Sequence, residues 1–309
     1  MRFLKFSSSF SLTLISILLL VLQSCSPNNV TIQNEYKQYF DETATTGSFG
    51  LFDNGSGQFY IYNLAQFKDS SFTPASTFKI VNALVGLETG KIVDEKMTIS
   101  IDSMGPIRMD TAFKLSVVPY FREVARRIGK DTMQHWLDSL QYGNKQMGAA
   151  VDSFWLNNSL LVTPDEQLGL VKKLYFGQLP FQKRTQEIVK KVMLQTANTQ
   201  YAISYKTGLG YKKNGQAIAW VIGWIEENKH PYFFVLQMEG AANVDLKKAR
   251  LSVLNAILKE TMGEGFVLVL SASDTQLGLW VSAIVGIVAG FIPARQAARL
   301  NPVEAMRAK

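Results

Sequence analysis

Residues 73–88 read TPASTFKIVNALVGLE, and the organisation of the chain turns on how they are placed. Thr73 is a helix-capping residue type and Pro74 suits a first helical position, while Phe78, Val81, Leu84 and Val85 recur at helical spacing. A helix is expected here. Upstream, residues 47–53 and 58–64 alternate in strand fashion around a Gly55-Ser56-Gly57 turn. Downstream, residues 111–194 read as mostly helical, with short loops at Tyr142-Gly143-Asn144 and Thr163-Pro164-Asp165. Strands return at 202–206, 217–224 and 232–238, the last two joined by a polar turn at Glu227-Asn228-Lys229. A last helix, Leu246–Met262, stops at Gly263. Strands at both ends with helices between predict an α+β fold. One antiparallel sheet is assembled from the two ends, with a helical region inserted.

The 309 residues are 47% hydrophobic and 18% charged, the balance of a globular protein with a substantial core. The formal charge of +7 is scattered, and no basic run interleaves with aromatic residues. That distribution points away from nucleic acid as a partner. Cys25 is the single cysteine, which excludes an internal disulfide and a Cys-rich metal site; no metal is expected. The two histidines stand in ordinary contexts, His135 before Trp136 in a helix-like run and His230 beside Pro231 in a turn. Nucleophilic chemistry here needs a base other than histidine.

Both ends of the chain carry targeting or membrane signals. Arg2 and Lys5 precede an apolar stretch at 12–22 of signal-peptide length, too short to span a membrane. The stretch closes on Leu22-Gln23-Ser24-Cys25, which resembles a bacterial lipobox. The resemblance implies a signal peptide over 1–24, lipid on the Cys25 sulfur and a protein held on the periplasmic side of a bacterial membrane. An ordinary signal peptide ending near a cysteine is the alternative. Residues 25–46 are expected as a linker and 47–263 as the catalytic domain. Residues 277–293 carry no charge and reach the lower limit for a spanning helix. The segment after them, Pro293-Ala294-Arg295 through Ala297-Ala298-Arg299-Leu300 to Glu304-Ala305, resembles the C-terminal end of ABC-exporter permeases. The 264–309 tail therefore looks like a join between two reading frames, with its basic flank cytoplasmic if it inserts.

Chemistry concentrates in Ser76-Thr77-Phe78-Lys79. The three-residue offset puts hydroxyl and amine on one helical face, within hydrogen-bonding reach. Lysine serves as a base only if burial lowers its pKa, and Phe78, Ile80 and Val81 make that burial plausible. Alone the motif is weak, since two fixed residues recur by chance. Lys206-Thr207-Gly208, ending a strand-like run, offers an ammonium, a hydroxyl and an open backbone to an anionic substrate. Ser116-Val117-Val118 and Tyr142-Gly143-Asn144 singly amount to a serine in a helix and a turn.

In series, Ser-x-x-Lys, Ser-x-Val, Tyr-Gly-Asn and Lys-Thr-Gly resemble class D (oxacillinase-type) serine β-lactamases, parallel to the motif series of class A enzymes. The resemblance runs from about Gly47 to Gly263 and includes Phe154-Trp155-Leu156, Gln167-Leu168-Gly169 and 220–224. It implies the penicillin-recognising serine enzyme fold and β-lactam antibiotics as substrates. It also implies no cofactor beyond carbon dioxide or bicarbonate, which carbamylates Lys79 to N6-carboxylysine. Ser76 would be the acylated nucleophile, the Lys79 carbamate the general base and Trp155 its indole N–H partner. Ser116 would pass a proton to the β-lactam nitrogen, and Val118 would pack over the carbamate. Lys206, Thr207, Gly208 and Arg250 would line the substrate site, with Lys247 and Lys248 as rivals of Arg250 on one helix. Backbone N–H groups of Ser76 and Leu209 would form the oxyanion hole. The 97–111 segment departs from the family, being short and without tryptophan. A β-lactam sensor that acylates without turnover, and a peptidoglycan transpeptidase, share much of this series.

Overall fold

The computed structural model describes residues 29–263 except Ser103. Its sheet strands are β1 (Val30–Ile32), β2 (Thr45–Asp53), β3 (Gln58–Tyr62), β6 (Leu194–Ala197), β7 (Tyr201–Tyr211), β8 (Ala217–Glu227) and β9 (His230–Gly240). They lie in the order β1-β3-β2-β9-β8-β7-β6. The two ends of the domain meet where β2 pairs with β9, from Thr45 opposite Gly240 to Asp53 opposite Tyr232. Between the halves stand α2 (Leu64–Asp69), α3 (Lys79–Glu88), α4 (Met109–Lys114), α5 (Val118–Ile128), α6 (Lys130–Leu140), α7 (Pro164–Tyr175) and α8 (Lys183–Met193). Among the described residues, α1 (Lys37–Asp41) follows β1, and the last element is α9 (Leu246–Met262), which ends at Gly263 with φ +91°.

Two expectations change. The sheet is mixed, because β1 runs parallel to β3, with Val30 opposite Phe59. The 25–46 linker is largely folded, since β1, α1 and the start of β2 fall within it. Tyr36 and Phe40 explain this: both are buried, and they anchor the segment against the sheet beside Phe49. The short 97–111 segment is also structured, as a hairpin of β4 (Thr98–Ile101) and β5 (Gly105–Arg108) leading into α4.

The sheet is covered on both faces. On β8, Ile218, Trp220, Ile222 and Trp224 join the core beneath the helical region, while Ala219, Val221 and Ile225 join the one beneath α9. This explains why 217–225 is almost continuously apolar instead of alternating with polar residues. The β8–β9 turn has Asn228 and Lys229 at φ +50° and +67°, the left-handed pair that a two-residue hairpin demands. Among the described residues no helix is long and apolar enough to cross a membrane. The signal segment, Cys25 and the tail with its 277–293 stretch lie outside the described residues.

Candidate active site

A 3-10 turn, Ala75–Phe78, precedes α3 and carries Ser76 at its second position. The expected cap is replaced by tertiary bonds. Thr73 Oγ1 donates to the Trp155 carbonyl at 2.8 Å, and the Ala75 N–H donates to the same oxygen at 3.0 Å. Ala75 adopts φ +50°, an unfavourable conformation for a residue with a Cβ, tolerated where the surroundings over-determine it. Ser76 Oγ accepts from Lys79 Nζ at 2.7 Å. The Lys79 side chain is buried, and burial pulls its pKa from the usual lysine range down to about 7. The Phe121 ring lies 5.7 Å from the amine.

Ser116 is not helical. It sits at φ +56° in the turn between α4 and α5, where its hydroxyl accepts from Lys206 Nζ at 2.5 Å. Lys206 is buried on β7, and its pKa is pushed far down, first by burial and then by the charges of Lys79 and Arg250. Alternation on β7 turns positions 206, 208 and 210 toward the nucleophile. A Cβ at Gly208 would meet the Pro74 carbonyl at 3.1 Å and Thr77 Cγ2 at 3.2 Å, so the open backbone lets the Ser76 turn sit against the strand. Leu209, by contrast, is 39% exposed. Thr207 and Val118, the first residue of α5, are half-buried.

Arg250 is separated from its rivals. Lys247 and Lys248 are exposed on α9, whereas Arg250 is buried and its Nη1 donates to the Gly208 carbonyl at 2.6 Å. Burial lowers its pKa to about 10. Trp155 is fully buried with its ring stacked on Phe78 at 5.3 Å, and its Nε1 has no hydrogen-bond partner. A buried orphan N–H is uncommon and calls for an acceptor. The histidines stay apart: His230 contacts Asp53 at 2.6 Å and His135 packs edge-on to Trp136.

The fold joins to this site three buried groups whose part in it no local sequence pattern marks: Tyr142, Gln167 and Thr77. Tyr142 OH donates to Gln167 Oε1 at 3.2 Å, Gln167 Nε2 donates to Thr77 Oγ1 at 2.8 Å, and Thr77 Oγ1 donates to the Pro74 carbonyl at 2.7 Å. The available signal was a glutamine at 167 on the apolar side of α7, between Pro164 and Leu168. Tyr-Gly-Asn also gains a geometric meaning. Gly143 has φ +56°, and a Cβ there would lie 2.2 Å from the Leu161 carbonyl. Asn144 Oδ1 accepts from the Leu161 N–H at 3.1 Å.

A serine-lysine pair at a sheet edge, with a second buried lysine bridging a serine from the helical region, is the site of a penicillin-recognising serine enzyme. The family model for the penicillin binding protein transpeptidase domain matches residues 35–263. β-Lactamase OXA-48 of Klebsiella pneumoniae is 34% identical over 235 residues, covering 73% of this chain and 87% of that protein. The class D β-lactamase YbXI from Nostoc superposes with a TM-score of 0.70 at 32% identity, covering 75% of this chain and all of that one. The C-terminal domain of the Bacillus licheniformis BlaR penicillin-receptor does so at 0.71 and 28% identity, covering 76% and 97%. The chain belongs to the class D β-lactamases and is a serine hydrolase of that family.

Proposed function

We propose that this protein hydrolyses penicillin-type β-lactams, conferring resistance to them, through an acyl-enzyme on Ser76. The observation that carries the reading is the 2.7 Å contact between Ser76 Oγ and a buried Lys79 amine whose pKa lies near neutrality. Ser76 Oγ attacks the lactam carbonyl carbon and loses its proton to the group at Lys79. The carbon–nitrogen bond then breaks, and that proton is passed on to the lactam nitrogen through Ser116, whose hydroxyl Lys206 contacts. Water next attacks the ester carbon, giving a proton to the group at Lys79; the bond from that carbon to Ser76 Oγ breaks, Oγ takes the proton back, and the opened acid leaves. The Ser76 and Leu209 N–H groups receive the developing oxyanion, a contribution that typically reaches several kcal/mol. Arg250 supplies positive charge and Lys206 and Thr207 supply hydrogen-bond donors for the substrate carboxylate, and Gly208 leaves room beside them.

Carbon dioxide fits the Lys79 site, because an amine with a pKa of about 7 is substantially neutral and only the neutral form reacts. The unpaired Trp155 N–H is a donor in search of an anionic oxygen. When formed, a carbamate supplies a carboxylate-like proton acceptor beside Ser76. Trp155 would hold it, and Val118 would shield it from water.

The likeness to the BlaR penicillin-receptor domain favours a second reading, a β-lactam sensor whose acyl-enzyme persists as a signal. Rapid mixing with a chromogenic penicillin separates the two. We expect a steady rate continuing over many turnovers. A single burst equal to the enzyme concentration, followed by no further product, would establish the sensor instead.

The enzyme is placed on the periplasmic side of a bacterial membrane by lipid on Cys25. Cys25→Ala is expected to move β-lactamase activity from the membrane fraction to the soluble one. Retention at the membrane would point to insertion of the tail.

A further inference from the structure

The backbone bonds of the Ser76 turn, such as Thr77 N–H to the Pro74 carbonyl at 3.2 Å, are reinforced from outside it. The residue before Ser76, Ala75, is in the left-handed region, and the turn lacks any side-chain cap. Two attachments fix the entry to the turn, from Thr73 and Ala75 to the Trp155 carbonyl. The other side is held by Thr77, the residue immediately after the nucleophile. Its hydroxyl donates to Pro74 and accepts from Gln167, which accepts in turn from Tyr142. Gln167 and Thr77 are completely buried, and Tyr142 nearly so. A buried polar chain of this kind is rigid only when each member is satisfied, because an unpaired polar group in a dry interior is strongly disfavoured. The elements it ties together are distant in sequence: the loop after α6, the first turn of α7 and the nucleophile turn.

We propose that Gln167 is a positioning residue for acyl transfer, acting through Thr77 to hold the Ser76 hydroxyl and backbone N–H in line for attack. This inference rests on Ser76 being the nucleophile. Gln167 touches neither Ser76 nor Lys79 through a hydrogen bond and is no catalytic residue. Its effect is on the geometry of the turn. The amide is suited to the task because it accepts at one atom and donates at the other, so one side chain bridges a phenol and a hydroxyl. Tyr142 adds orientation to Gln167, and its ring also packs 6.0 Å from Phe78, the residue between Thr77 and Lys79. A misplacement of reacting groups by about 1 Å can cost on the order of 10²-fold in rate.

The test is single-turnover acylation by a chromogenic penicillin, in the full-length protein, across Gln167→Met, Thr77→Val, Thr77→Ser and the Gln167→Met/Thr77→Val double variant. Gln167→Met and Thr77→Val are each expected to slow acylation by about ten- to a hundredfold while leaving the dissociation constant of the pre-covalent complex within about threefold. Thr77→Ser retains the hydroxyl and is expected to acylate at close to the parental rate. The double variant should be no slower than the worse single one, since both break one chain. Acylation by folded Gln167→Met within twofold of the parent overturns the proposal, as do multiplicative losses in the double variant. If Gln167→Met fails to fold, the Val-to-Ser contrast at Thr77 decides, because equal rates for those two remove any role for the hydroxyl. Mass spectrometry of the parental acyl-enzyme separates the layers: an adduct elsewhere than Ser76 sinks the nucleophile assignment itself.

Discussion

Ser76→Ala is expected to abolish covalent labelling by penicillin and to lower turnover by on the order of 10⁴-fold or more, the scale of a deleted nucleophile. The magnitude follows from what remains. Lys79 would keep its buried site but lose the hydroxyl 2.7 Å from its amine. No bond could form to the lactam carbonyl, and only binding and the oxyanion donors would persist. The fold should survive, because the turn is held by Thr73, Ala75 and Thr77, none of which uses the Ser76 side chain. Thermal denaturation close to that of the parent, together with loss of the adduct, is therefore the expected pair of results. Ser116 provides an internal contrast, since its hydroxyl also contacts a buried lysine. A penicilloyl adduct on the variant, at Ser116 or anywhere else, would overturn the assignment of Ser76.

Much of this site was legible because its chemistry is written in short, ordered motifs. A three-residue offset suffices to bring Ser76 and Lys79 together, whether the local backbone is α or 3-10. The α9 helix was legible to both ends, having regular spacing and a glycine stop. Other features depend on contacts that no local pattern encodes. Thr73 looked like a cap because its type and position were right, yet the Trp155 carbonyl competes for its hydroxyl. Ser116 looked helical because its neighbours are, but the chain breaks between α4 and α5 with Ser116 itself at positive φ. The parallel strand β1 is three residues long, too short for alternation to be visible. Arg250 could not be separated from Lys247 and Lys248 by sequence, because one helix presents all three. Burial against Gly208 separates them. The Tyr142–Gln167–Thr77 chain joins residues up to 90 positions apart, and only the folded core makes it a unit.

The second large effect belongs to Lys79. Replacement by methionine keeps most of the volume and removes the base, so turnover is expected to fall by about 10²–10⁴-fold, the usual worth of a general base. Stability should move the other way. The folded-state pKa of Lys79, about 7, lies below its ordinary value of 10.5, so folding disfavours its charged form. Below pH 7 both folded and unfolded chains hold the proton, and the burial penalty is present in full. Between about 7 and 10.5 the unfolded chain holds the proton while the folded one has released it, so stability rises with pH in that window. Lys79→Met should erase that rise and be most stabilising in acid. Activity of the parent follows the same titration: below about pH 7 the neutral amine falls roughly tenfold per unit, and carbon dioxide has less to react with. Acid should therefore inactivate reversibly, bicarbonate should restore activity near neutrality, and carbon-13 bicarbonate should give a carbamate resonance absent from Lys79→Met. Trp155→Phe keeps the ring on Phe78 but removes the orphan N–H, so it should raise the bicarbonate concentration needed for half-maximal activity. Full activity in degassed buffer at mildly acid pH, with no resonance, would make the amine itself the base. The unpaired Trp155 N–H would then need another partner.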